Sequence, residues 1–154
     1  MVNFVINIYF LNFFNLTALI EERGIKPFQK ILDTFGGWPV VRGFSWIGLN
    51  WNWIKSIQNS RAHGYSIDYI FDFSVDVDVK NSTRRIIFID QATTGLSREF
   101  LIKGMDDTIV QAYYSYMVDM AVLFGADKSN AEREMRESLN FEFALANVIF
   151  HIKI

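Results

Sequence analysis

Between Phe71 and Val79 apolar and polar residues alternate strictly. Phe71, Phe73, Val75, Val77 and Val79 are separated by Asp72, Ser74, Asp76 and Asp78. A period of two marks a strand with one apolar and one solvated face. Lys80 to Thr83 is turn chemistry, and Arg84 to Asp90 resumes an apolar run. The spacing therefore predicts an antiparallel hairpin at about 69–90. Elsewhere the period is helical. Leu16 to Leu32 reads as helix, divided in two by Pro27, with Thr17 as candidate N-cap and Glu21 and Glu22 where the helix dipole favours acids. Ser45 to Asn59, with Trp46, Trp51 and Trp53, fits an apolar helix or a loop running into one. Ile109, Tyr113, Tyr116, Met117, Met120 and Phe124 share a stripe that Gly125 ends. In the next segment Ser129 is a candidate N-cap, with Glu132 at capping-box spacing. Glu132–Arg136 and Arg133–Glu137 sit at i,i+4, and Met135, Leu139, Ala146 and Ile149 form the buried stripe. The fold expected is mainly α (α+β), a helical domain fragment carrying one antiparallel hairpin.

Two places break this pattern. Gly36, Gly37, Trp38 and Pro39 stand together between apolar flanks. Paired glycines can let a backbone approach a ligand closely, or they can end a helix; Pro39, which cannot continue one, favours the stop. Glu142 falls on the otherwise apolar stripe, three residues after Leu139 and four before Ala146. A carboxylate in a core needs a partner to stay ionised, unless the helix turns enough to leave it at the solvent boundary.

Composition narrows the classes. The chain has 154 residues, 51% of them hydrophobic, enough for one domain with a core. A net charge of −2 with no basic stripe argues against a nucleic-acid partner. With no cysteine there is no disulfide framework, thiol nucleophile or thiolate metal site. Residues 1–15 form an apolar leader. It is shorter than the roughly twenty residues of a spanning helix and lacks the basic start of a signal peptide. A buried helix, a misplaced start and a shortened anchor all remain open for it.

Chemical motifs are scarce. Only His63 and His151 are present, far apart and outside any H-E-x-x-H. Asp76 and Asp78 open like a calcium loop, but Asn81 replaces its glycine and Ile87 its glutamate. Asn15 and Asn81 each begin an N-x-[ST] glycosylation pattern, and Asn81 is expected at a hairpin tip, the better acceptor position.

Three stretches together resemble one family. "FQKILDTFGGWPVV" (Phe28 to Val41) looks like the Gly-Gly-Trp-Pro segment of the neprilysin and endothelin-converting-enzyme metallopeptidases. "FSVDVDVKNSTRRIIFIDQATTGLSREF" (Phe73 to Phe100) is similar to that family's strand–turn–strand followed by Gly-Leu-Pro-x-Arg, with Ser97 in the proline's place. "NFEFALANV" (Asn140 to Val148) resembles its Phe-Glu-x-x-Leu-Ala helix. The match runs over roughly Leu16 to Ile149, so residues 16–150 are expected to be an incomplete neprilysin-like N-terminal domain. The resemblance implies a fragment of a zinc metalloendopeptidase: the helical region that covers the catalytic domain and limits access to small peptides, inactive alone. A stand-alone non-catalytic protein that binds peptides or a peptidase is the alternative. The family's zinc and catalytic motifs are not in this sequence, so zinc is implied for a full-length parent and no cofactor for this chain. The partners implied are the parent's catalytic domain and its peptides, and the location is extracellular or a plasma-membrane ectodomain. Gly36, Gly37, Trp38, Pro39, Asp90, Gln91, Arg98 and Glu142 are expected to be structural positions. Family analogy makes Arg98 the candidate partner of Glu142, with backbone N–H groups of the "GLSRE" turn as the other donors.

Overall fold

A computed structural model describes residues 17–65, 70–91 and 93–148. The apolar leader, Asn15, Ile149 and His151 lie outside them. The chain forms two packing units, Met1–Trp38 and Pro39–Ile154. In the first, residues 17–23 are helical, 24–25 are a turn, and α1 (Lys26–Thr34) follows with Pro27 in its first turn. The break expected at Pro27 thus falls just before it, because proline's fixed φ suits a helix start and its missing N–H is no loss there.

The second unit holds the other elements: α2 (Pro39–Arg42), α3 (Trp53–Ala62), β1 (Phe71–Asp78), β2 (Asn81–Gln91), α4 (Arg98–Leu101), α5 (Thr108–Leu123) and α6 (Lys128–Val148). The fold is mainly α with one antiparallel hairpin. The tryptophan-rich segment is a loop with two short 3-10 turns running into α3. Asn52 caps α3 by accepting from the N–H groups of Ile54 and Lys55 at 2.9 and 3.1 Å. Asn52→Ala should cost about 1 kcal/mol, read as a lower denaturation midpoint; an unchanged midpoint would mean that the cap does not form.

The core lies where α4, α5 and α6 meet. Leu101, Val110, Leu139 and Ala146 are fully enclosed, with Phe100, Tyr113, Met117 and Phe143 packed around them. On α6 the buried stripe is the expected one, Met135, Leu139 and Ala146, joined by Ala131. On α5 the buried residues are Val110, Val118 and Ala121, whereas Ile109 and Tyr116 from the expected stripe are exposed.

Two local expectations are corrected. The cap of α6 is Asp127 and not Ser129. The Asp127 carboxylate accepts the Asn130 N–H at 3.1 Å and the Ser129 hydroxyl at 2.6 Å. A carboxylate is the stronger acceptor at a helix N-terminus, and it takes the serine as a donor. Arg133 pairs with Glu134 and Asn130, and Arg136 stacks on Tyr114, 4.7 Å from the ring centre, in place of the expected i,i+4 pairs.

Candidate functional site

The hairpin is tighter than the sequence suggests. Val79 and Lys80 alone form the turn, and β2 already begins at Asn81, opposite Asp78. Asp78, only 4% exposed, organises the turn. Its carboxylate accepts the Lys80 N–H at 2.8 Å and the Arg84 Nε–H at 2.7 Å, with Arg84 Nη2 at 2.6 Å. Its place in a calcium-loop-like pattern therefore has a structural use. The register shifts by a bulge between Val77 and Asp78.

Pairing sets Phe73 against Ile89 and Val75 against Ile87. With Val77 they make a continuous apolar face. At one end Phe71 meets Trp53 edge-on, 6.3 Å between ring centres, and the Arg61 guanidinium lies 5.5 Å over Phe73. Beyond that contact the face is open: Val75, Ile87 and Ile89 are 55%, 62% and 71% exposed. Alternation correctly assigns the residues to one face, but among the described residues little covers it. The opposite face carries Asp72 directly across from Asp90. Asp90 and Gln91 are exposed at the end of β2, and Asp90 accepts the Gln91 N–H at 2.7 Å.

Gly36 and Gly37 form the helix stop. Both have positive φ, 99° and 81°, and their N–H groups return to Asp33 and Leu32 carbonyls at 3.1 and 2.8 Å. This satisfies the open end of α1 in a conformation that a side chain would resist. Trp38 is half-buried, and Pro39 opens α2.

Glu142 is half-buried between α5 and the turn before α4. Tyr113 donates its hydroxyl to Glu142 Oε1 at 2.9 Å, while Oε2 is buried with no hydrogen-bond partner. Burial pushes the carboxyl up from its usual 4.5, against the lowering effect of the Tyr113 hydroxyl and the Gly95 N–H. Burial, then the neighbouring Glu142 charge, raises the Tyr113 phenol far above its usual 10.0. Arg98 serves elsewhere: its Nε donates to the Ala146 carbonyl at 2.9 Å, tying α4 to the end of α6. Of the two donor sources expected, the arginine is replaced by a tyrosine, and the turn contributes only the electrostatic pull of the Gly95 N–H, with no hydrogen bond to Oε2. Tyr113 was hidden within an apolar stripe; the available signal was that a buried tyrosine hydroxyl needs a partner.

A surface groove of about 950 Å³ is lined by Val40, Phe44, Trp46, Asp127, Asn130 and Arg133, among others. Asn130 closes one wall by donating to the Val40 carbonyl at 3.1 Å. His63 is exposed, with Nδ1 2.8 Å from the Asn59 carbonyl oxygen. Among the described residues no three His, Cys, Asp or Glu side chains converge to hold a metal ion. These residues do not fit zinc. No helix among them is long and apolar enough to cross a membrane.

Sequence comparison gives the class of this helical domain with one hairpin. The profile of peptidase family M13 matches residues 6–152, so the chain belongs to that family and corresponds to its N-terminal region. Neprilysin-2 of Drosophila melanogaster is 48% identical over 132 residues, which is 85% of this chain and 17% of the relative. The endothelin-converting enzyme homolog of Locusta migratoria is 31% identical over 144 residues, 92% of this chain and 19% of the relative. Endothelin-converting enzyme 1 of Cavia porcellus is 35% identical over 132 residues, 84% and 17%. The chain thus spans less than a fifth of the length of these relatives.

Proposed function

We propose that this chain is the helical N-terminal region of a neprilysin-like zinc metalloendopeptidase, that it packs over the catalytic domain and limits access to small peptides, and that it is inactive alone. The zinc, the catalytic residues and the peptide substrates belong to the full-length parent, an extracellular or plasma-membrane ectodomain. The observation that carries this reading is the open face of Phe73, Val75, Val77, Ile87 and Ile89. Contiguous apolar surface of this kind marks an interaction site. Membership in a peptidase family, with this chain spanning less than a fifth of its relatives' length, supports the rest of the parent as what covers it.

The test has two arms. The isolated chain should show no chelator-sensitive cleavage of a small peptide and should bind an apolar-surface dye. Val75→Asp with Ile87→Lys should remove most of the dye signal, and in the full-length parent the same pair should separate this region from the rest in limited proteolysis. Cleavage by the isolated chain with stoichiometric zinc would overturn the inactive reading. A parent whose proteolysis pattern ignores the pair would overturn the covering role and favour a stand-alone binding protein.

A further inference from the structure

We propose that Asn81 is an N-glycosylation acceptor, so that the hairpin tip carries a glycan on Asn81 Nδ2. The proposal rests on the ectodomain reading above, since the modification needs a secretory lumen. Asn81-Ser82-Thr83 supplies the acceptor pattern, and every residue from Val79 to Arg85 is exposed, so a bulky sugar meets no packed neighbour. The side chain is also held in one orientation. Asn81 Oδ1 accepts the Thr83 hydroxyl at 2.7 Å and the Thr83 N–H at 3.1 Å. That commits the amide oxygen inward and leaves Nδ2 as the outward atom of the amide. Two different uses of the pattern therefore coincide: threonine's hydroxyl is the group that the acceptor pattern demands, and it is also the group that fixes the asparagine in the folded turn.

The co-reactant is an oligosaccharide linked through its anomeric carbon to a lipid pyrophosphate. Nδ2 attacks that carbon, a C–N bond forms, and the C–O bond to the pyrophosphate breaks. The lipid pyrophosphate leaves with the bonding pair, and one amide proton passes to a base of the transferase. Asn81 pairs with Asp78 at the tip, past the bulge that follows Val77, while the apolar pairs Phe73–Ile89 and Val75–Ile87 lie further along the ladder. A glycan at the tip is set apart from those pairs, so the modification and the docking of that face are compatible.

The experiment uses the full chain behind a heterologous cleaved signal peptide, in a background of Asn15→Gln so that the other pattern is silent, with analysis confined to protease-protected, lumenal product. Expected is one glycosidase-sensitive mass increment, retained in Thr83→Ser and lost in both Asn81→Gln and Thr83→Ala. Lumenal chain with no increment, or an increment that survives Asn81→Gln, overturns the proposal. Because the signal is supplied, failure of the ectodomain reading shows separately, as a full-length parent that does not enter the secretory route while the fused chain is glycosylated.

Discussion

Leu139→Ala should lower the unfolding free energy by about 2–5 kcal/mol, the range for removing a fully enclosed leucine where the walls relax only partly. Leu139 is completely buried and packs with Leu101, Val110 and Ala146 at the meeting of α4, α5 and α6. Three elements converge on it, so no single side chain can swing in to fill the space. Phe141, two residues on, is 56% exposed, and Phe141→Ala should cost far less in spite of its larger side chain. Urea denaturation checks both: the midpoint should fall steeply for the first and slightly for the second, with slopes unchanged. Equal losses would mean that α6 is rotated from the orientation described.

Gly95→Ala should cost about 1–3 kcal/mol, the usual penalty for forcing extra volume into packed structure. A Cβ at Gly95 would overlap the Tyr113 hydroxyl oxygen and stand 3.0 Å from its Cζ. The ring must then move, and Glu142 loses the one side chain that donates to it. Tyr113→Phe removes the oxygen in the way, so the double variant should be less destabilised than the sum of the two single losses. Strict additivity would show that the three groups do not share one site.

The same cluster has a pH signature. Glu142 titrates above its usual 4.5 in the folded chain. The folded state therefore holds a proton more tightly than the unfolded one, and that contribution is complete below pH 4.5 and fades as pH rises through the raised folded value. Asp107 and Asp127 act in the opposite sense and in another window. The Lys103 ammonium and Ile109 N–H hold Asp107 below 3.8, and the Ser129 hydroxyl and Asn130 N–H do the same for Asp127. Their contributions are present above pH 3.8 and lost as pH falls further. Glu142→Gln should remove the decline above pH 4.5 and leave the acid limb unchanged. A decline that persists in the variant would assign it to another group.

Local chemistry was legible in the sequence wherever one segment decides the outcome. The alternation from Phe71 to Val79 gave the strand and its two faces, Gly36 and Gly37 gave the helix stop, and the position of Glu142 between Leu139 and Ala146 gave its partial burial. What remained hidden depended on competition or distance. Asp127 and not Ser129 caps α6 because the carboxylate is the stronger acceptor and takes the serine hydroxyl as a donor. Tyr113 meets Glu142 from another helix, and an aromatic on an apolar stripe gives no hint of where its hydroxyl ends. Alternation also says which side chains share a face, but not whether anything lies against it.

The Asp72–Asp90 pairing has a consequence for motion. Like charges directly across a ladder repel, and a sheet of two strands, as the described residues form here, has little stability of its own. The hairpin should therefore open as a separate cooperative unit, at a free energy well below that of global unfolding. Amide protons of Ile87 and Ile89 should exchange with solvent much faster than those of Val118 or Leu139. Added salt, by screening the two aspartates, should slow the ribbon's exchange while leaving the helices untouched.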